Sequence, residues 1–143
     1  MWSLMNEKMK AAQEEIINEF NRFDDWFQAY HYLIGLGKNL EGMDDALKTD
    51  DNSIGGCQSQ VWLHAEIDNN SVHFTADSDS QLIKGLLSLL LRVVNDAPVA
   101  DIIDCDLYFL KEIGLNEHLS PSRSHGLNSI INQLKTIRNS SED

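Results

Sequence analysis

Asn52-Ser53-Ile54-Gly55-Gly56-Cys57-Gln58-Ser59-Gln60-Val61-Trp62 decides how the chain is read. Two glycines stand directly before one of its two cysteines, and a strand-like alternation begins directly after it. Glycine reaches positive φ at little steric cost, so Gly55-Gly56 suits a tight reversal. That reversal puts Cys57 near its tip, at or close to the surface, where chemistry is possible. A free cysteine is most often a small buried apolar residue. The glycine pair and the polar Gln58, Ser59 and Gln60 set a working thiol beside that reading.

Downstream, Val61, Leu63, Ala65 and Ile67 alternate with Trp62, His64 and Glu66, the period of a β-strand. Asn69-Asn70 suits a hairpin turn, and Val72, Phe74 and Ala76 then alternate with His73, Thr75 and Asp77. Upstream, Asn52–Ile54 reads as a short strand leading into the turn. The expectation is a small antiparallel three-stranded sheet with one face buried. His64 and His73 fall on its other face as candidate cross-strand neighbours. Two histidines without a third ligand make a poor metal site, so no metal is expected.

Helical signals surround the sheet. Met5, Met9, Ala12, Ile16 and Phe20 mark an amphipathic helix over 4–20. Asp24 or Asp25 caps a second helix whose face is Trp26, Phe27, Tyr30, Leu33 and Ile34, with Gly37-Lys38 as its stop. The polar, acidic segment 39–51 reads as a connection with one helical turn near Met43–Leu47. Asp77-Ser78-Asp79-Ser80 ends the second strand and supplies N-caps. The helix that follows is apolar almost all round from Leu82 to Val94, which makes it the central buried one. Gly85 costs that helix about 1 kcal/mol relative to Ala, a cost that a closely packed neighbour would justify. Short helices follow Pro98 as far as Gly114, with Cys105 as a buried packing residue. Ser120-Pro121 starts a last helix, striped by Leu127, Ile130, Ile131, Leu134 and Ile137 and running through residue 138. Lys135 and Arg138 favour its C-terminal end, and the tail Asn139–Asp143 frays. Arg123 sits in its first turn, where an exposed cation is disfavoured by about 0.3–1 kcal/mol. Such a placement anticipates a specific partner, a carboxylate or a backbone carbonyl. The chain thus reads as one α+β domain over residues 1–143, a small sheet packed against several helices.

Composition narrows the function. The formal charge is −12, from 23 acidic and 11 basic residues, with no basic cluster, so nucleic acid is excluded as a partner. A protein with a basic patch fits better. The longest apolar run, Leu86 to Val94, is too short to span a bilayer, and the polar start (Asn6, Glu7, Lys8) reads as no signal peptide. Two cysteines without CxxC spacing fit a reducing cytoplasm, where a thiol stays free. No nucleophile elbow, phosphate loop or HExxH motif is present. Cys57 remains the one catalytic-looking group. The thiolate is the reactive form of such a group, and thiolate attack on a sulfane sulfur resembles thiol–disulfide exchange, with the new sulfur retained as a persulfide.

The pattern Asn52-Ser53-Ile54-x-Gly56-Cys57-Gln58-Ser59-Gln60-Val61-Trp62 resembles the signature of SufE-like proteins, the sulfur acceptors of iron–sulfur cluster biogenesis. Asp77-Ser78-Asp79 with Ile83-x-Gly85-Leu86 resembles the family's second block. Leu119-Ser120-Pro121-Ser122-Arg123-Ser124-x-Gly126-Leu127 resembles its third, with Ser120 where Thr is common. The resemblance spans nearly the whole chain. It implies an α+β fold similar to the IscU-type scaffolds. It implies that Cys57 accepts persulfide sulfur from a pyridoxal-phosphate-dependent cysteine desulfurase of the SufS or CsdA type, stimulates that enzyme, and passes sulfur to a SufBCD-type scaffold. On this reading the protein is a covalent carrier rather than an enzyme and binds no cofactor of its own. Gly55, Gly56, Gln58 and Ser59 would support the loop. Asp77, Asp79 and Arg123 would bind the partner or position the loop. The alternatives are an iron–sulfur scaffold of the IscU type, which needs several thiolate ligands, and an interaction module with an inert Cys57.

Overall fold

Asn69 and Asn70 both take left-handed backbone, with φ of 51° and 69°, and fold the two alternating stretches into a hairpin. Its strands are β1 (Val61–Asp68) and β2 (Ser71–Ser78), antiparallel with Val61 opposite Ser78 and Asp68 opposite Ser71. Val61, Leu63, Val72, Phe74 and Ala76 are buried on one face. The computed structural model describes residues 6–56 and 58–136. Met5, Ile137, Arg138 and the tail Asn139–Asp143 lie outside the described residues, as does Cys57 itself.

Before the hairpin run α1 (Glu7–Phe20) and α2 (Trp26–Lys38), then 3-10 turns at Asp45–Leu47 and Asp50–Asn52. After it come α3 (Gln81–Val94), a two-residue strand β3 (Ala97–Pro98), α4 (Val99–Asp104), α5 (Phe109–Glu112), α6 (Leu115–His118) and α7 (Pro121–Lys135). The expected caps are in place. Asp25 accepts from the Gln28 amide, Ser80 from Ile83, and Ser120 from Arg123 with Pro121 behind it. α3 is the core: Leu82, Ile83, Leu86, Leu87, Leu89, Leu90, Leu91, Val93 and Val94 are all buried.

Three expectations need correction. The third strand is Ala97–Pro98, not Asn52–Ile54. The Asp50–Asn52 turn winds up that earlier segment and leaves Ser53 a single bridge to Trp62. Asp96, at φ 69°, turns the chain after α3 so that its amide donates to Val72 O and Ala97 lies opposite Val72. Pro98 has no N–H to offer, which suits this sheet edge. The histidines are not direct neighbours either, because the register sets His64 against Thr75 and His73 against Glu66. Their ring nitrogens meet Glu66 and Asp96 respectively.

The face of α2 is the third. Phe27 is 71% exposed, and the inward line is Ala29, Leu33 and Gly37, spaced by four. The cause is Gly85 on α3. A Cβ on Gly85 would lie 2.2 Å from Leu33 O, and one on Gly37 would lie 2.8 Å from Gly85 N. Two helices that approach this closely must meet along their smallest side chains, and Phe27 is carried to the outside. Gln13, fully buried inside the apolar stripe of α1, is also unanticipated. Its amide donates to Asp106 O and accepts from Phe109 N, so it fastens α1 to the start of α5.

Candidate functional site

The chain leaves the body of the protein at Ile54 and re-enters it at Val61. The Ile54 amide donates to Val61 O at 2.9 Å and both side chains are buried, so residues 55–60 form a loop pinched at its base. The upstream limb is Gly55-Gly56. Gly55 is open, with no atom within 4 Å of where a Cβ would stand. Gly56 has φ +85°, the left-handed backbone that favours glycine. A Cβ there would come 2.7 Å from Ser129 Oγ and 3.3 Å from His125 Nε2, both on α7. The downstream limb is held by polar bonds. The Gln60 amide donates to Asp79 Oδ1 at 3.1 Å, and Gln60 O accepts from Ser78 Oγ at 2.7 Å and from the Asp79 amide at 3.3 Å. Gln58 is exposed and Ser59 half-buried, and with Ser53, Ile54 and Gln60 they line a small cleft. Cys57, the expected acceptor, lies between these two limbs in sequence.

The two acidic candidates do different things. Asp79 is exposed and ties down the loop. Asp77 is buried and anchors two lysines, with Lys48 Nζ at 3.2 Å and Lys84 Nζ at 3.7 Å, while it accepts the Ser78 amide at 2.8 Å. Burial pushes the Asp77 carboxyl upward, but the Ser78 amide and the Lys48 and Lys84 ammoniums outweigh it and hold it below the ordinary aspartate value. The hydrogen bond to Asp77 likewise raises Lys48, whose ammonium also sits 5.3 Å over the Trp62 ring.

A pH dependence follows. A carboxyl depressed in the folded state stabilises it fully above the unfolded value of about 3.9, and that stability is lost as pH falls through the lower folded value. Asp77→Asn should lower stability at neutral pH by about 1–2 kcal/mol. It should also flatten the acid loss below about pH 4. Urea unfolding of both proteins, at neutral pH and near pH 3, reads the difference, and parallel pH slopes would contradict the assignment.

Arg123 does not reach this acidic pair. Its guanidinium donates to Tyr30 Oη at 2.9 Å and joins the first turn of α7 to α2, so its partner is a hydroxyl rather than a carboxylate or carbonyl. Cys105 is a core residue as expected, and burial pushes its thiol up. Among the described residues no cluster of three or more His, Cys, Asp or Glu is placed to hold a metal. No described helix is long and apolar enough to cross a membrane.

The sequence reading missed Lys48, Lys84, Gln60, His125 and Ser129. Lys48 lies in a stretch that reads as connection, and its partner is 29 positions away in sequence. The His125–Ser129 spacing does mark one helix face. Nothing in the sequence says which element that face meets.

Comparison with known proteins is consistent across three lines. Residues 14–138 match the family model described as SufE, Fe-S metabolism associated domain. A SufE-like protein of Rhizobium meliloti is 37% identical over 131 residues, covering 88% of this chain and 94% of its own length. One of Rhizobium etli is 35% identical over 130 residues, covering 87% and 88%. Among solved structures, a protein from Thermus thermophilus is similar with a TM-score of 0.70 over 92% of this chain and 93% of its own. At 16% identity that likeness concerns the fold alone.

Proposed function

Because this chain belongs to the SufE family, associated with iron–sulfur metabolism, we propose that it is a sulfur carrier loaded at Cys57. The donor is the cysteine persulfide of a pyridoxal-phosphate-dependent desulfurase of the SufS or CsdA type. The Cys57 thiolate attacks the outer sulfur of that persulfide, the donor's S–S bond breaks, and the donor cysteine leaves as a thiolate. Removing the persulfide frees the desulfurase for another turnover, and this is how the carrier stimulates it. A SufBCD-type scaffold then takes the sulfur from Cys57. A reducing compartment such as the cytoplasm keeps the thiol available.

The observation that carries this reading is the construction of the loop. Both limbs on either side of Cys57 in sequence are fastened, one by packing of Gly56 on α7 and the other by Gln60 on Ser78 and Asp79, while its sequence neighbours Gly55, Gly56, Gln58 and Ser59 are small or polar. A cysteine kept for packing needs no such frame. In this proposal Gly55, Gly56, Gln58 and Ser59 shape the loop, Asp79 moors it, Asp77 stiffens the strand end behind it, and Arg123 offers its charge to the partner.

The test is to mix the full chain with a desulfurase and cysteine in the absence of reductant. Intact mass should rise by one sulfur atom, and peptide mapping should place that atom on Cys57. No added sulfur, or sulfur found on Cys105 alone, would refute the proposal. An iron–sulfur scaffold, by contrast, would turn coloured on reconstitution with iron and sulfide.

A further inference from the structure

The two edges of the sheet are finished differently. Along the outer edge of β2, β3 covers Ser71 and Val72, and the Asn95 carboxamide takes the place of a strand beyond it. The Phe74 amide donates to Asn95 Oδ1 at 2.7 Å, and Asn95 Nδ2 donates to Phe74 O at 3.2 Å. The outer edge of β1 has less cover. Val61 O turns outward to the Ile54 amide, and Ser53 bridges to Trp62. Backbone polar groups alternate sides along an antiparallel strand, so Leu63, Ala65 and Ile67 turn theirs the same way as Val61. Phe74, opposite Ala65, agrees by turning its own groups away toward Asn95. Among the described residues no strand lies beyond the Ser53 bridge, so Ala65 and Ile67 each aim one amide donor and one carbonyl acceptor outward. An open edge is usually blunted by Lys, Pro or a bulge. Residues 61–68 contain neither Lys nor Pro, and the β1–β2 register runs unbroken from Val61 to Asp68. What they do contain is alternation. Ala65 and Ile67 rest half-buried against the core, while Glu66 and Asp68 stand exposed. Beside Ala65 lies a cavity of about 230 Å³, lined by Leu63, Ala65 and Phe74 and by Gln133 and Thr136 at the end of α7.

We propose that the β1 edge is a docking site for an extended segment of another protein, one that alternates apolar and basic residues. The backbone of such a segment pairs with Ala65 and Ile67 as an added strand. Its apolar side chains opposite these two fall on the core side, one of them at the cavity beside α7. Its basic side chains fall opposite Glu66 and Asp68. Opposite charges facing one another across a strand pair attract, and like charges repel. The same rule disfavours a second copy of this chain. A two-fold pairing that engages both Ala65 and Ile67 sets Glu66 against the other copy's Glu66 or Asp68, on a molecule of charge −12. The two acids thus guard the edge against its own kind and admit a basic strand. The inference stands apart from the carrier reading, since it uses no residue of the loop 55–60.

The probe is an acetylated and amidated peptide of Val-Lys repeats, titrated into the isotope-labelled full chain and followed by amide NMR. The Ala65 and Ile67 amides should exchange quickly with solvent in the free protein, and about tenfold or more slowly with the peptide bound. A Val-Glu peptide should bind about fivefold more weakly or worse. Glu66→Lys, at an exposed position, should reverse that preference. Ala65→Pro removes one outward donor while sparing the β1–β2 ladder, and should abolish the protection at Ile67. No binding, binding that leaves the Ala65 and Ile67 amides unchanged, or binding that survives both substitutions would overturn the proposal. So would amides that are already slow in the free protein. If that protection is independent of protein concentration, residues 137–143 cover the edge; if it rises with concentration, a second copy does.

Discussion

Cys57→Ser should take up no sulfur and should return the desulfurase to its unassisted rate. The hydroxyl is close in size to the thiol, and the position lies in a loop flanked by exposed Gly56 and Gln58, so stability should change by no more than about 0.5 kcal/mol. What disappears is the chemistry: a serine oxygen cannot carry a sulfane sulfur by thiol exchange. The measurement is alanine produced by the desulfurase with and without the variant, alongside circular dichroism to check the fold. This experiment separates two kinds of stimulation. If docking alone speeds the enzyme, the serine variant will stimulate as well as the parent, and the covalent account fails. Cys105 offers no rescue, since it is buried and its thiol is pushed up.

The second large effect concerns the fold. Gly85→Ala should destabilise the protein by about 3 kcal/mol or more, lowering Tm by roughly 10 °C. Helix propensity alone favours the change by about 1 kcal/mol, so the sign is a contest between propensity and space. Space wins because the new Cβ would sit 2.2 Å from Leu33 O, a backbone atom that cannot rotate away, and 3.0 Å from Leu33 Cγ. α2 would have to back off along its whole contact with α3, opening the row of Ala29, Leu33 and Gly37. Gly35→Ala is the matched control. It lies on α2 with no atom within 4 Å of its Cβ position, so the propensity gain should appear unopposed. Thermal unfolding of the pair would settle the sign, and equal midpoints would show that the close approach is not rigid.

Much of this architecture is legible before folding because it is local. The hairpin is spelled by alternation and by an Asn-Asn turn, α3 by its continuous apolar run, and α7 by Ser120-Pro121. What the sequence hides is orientation and distance. Phe27 belongs to an apolar helix stretch, yet the tight fit of Gly85 against Leu33 turns it outward. Ala97–Pro98 is too short to announce itself as a strand, and exists because Asp96 turns the chain back onto Val72. At the site, the thiol and its glycines are visible from their order alone. The moorings of the loop are not, since Asp79 meets Gln60 from 19 positions away and His125 meets Gly56 across the fold.

On the proposed carrier reading, the pinch between Ile54 and Val61 also limits how far a sulfur atom can travel. The chain between these two fixed points is short, and at about 3.4 Å per step a doubled-back tether carries its tip no more than about 12 Å from the base. Delivery over any longer path must therefore come from diffusion of the whole protein. Each customer in turn must present its reactive sulfur or acceptor within one short lunge of the docked surface.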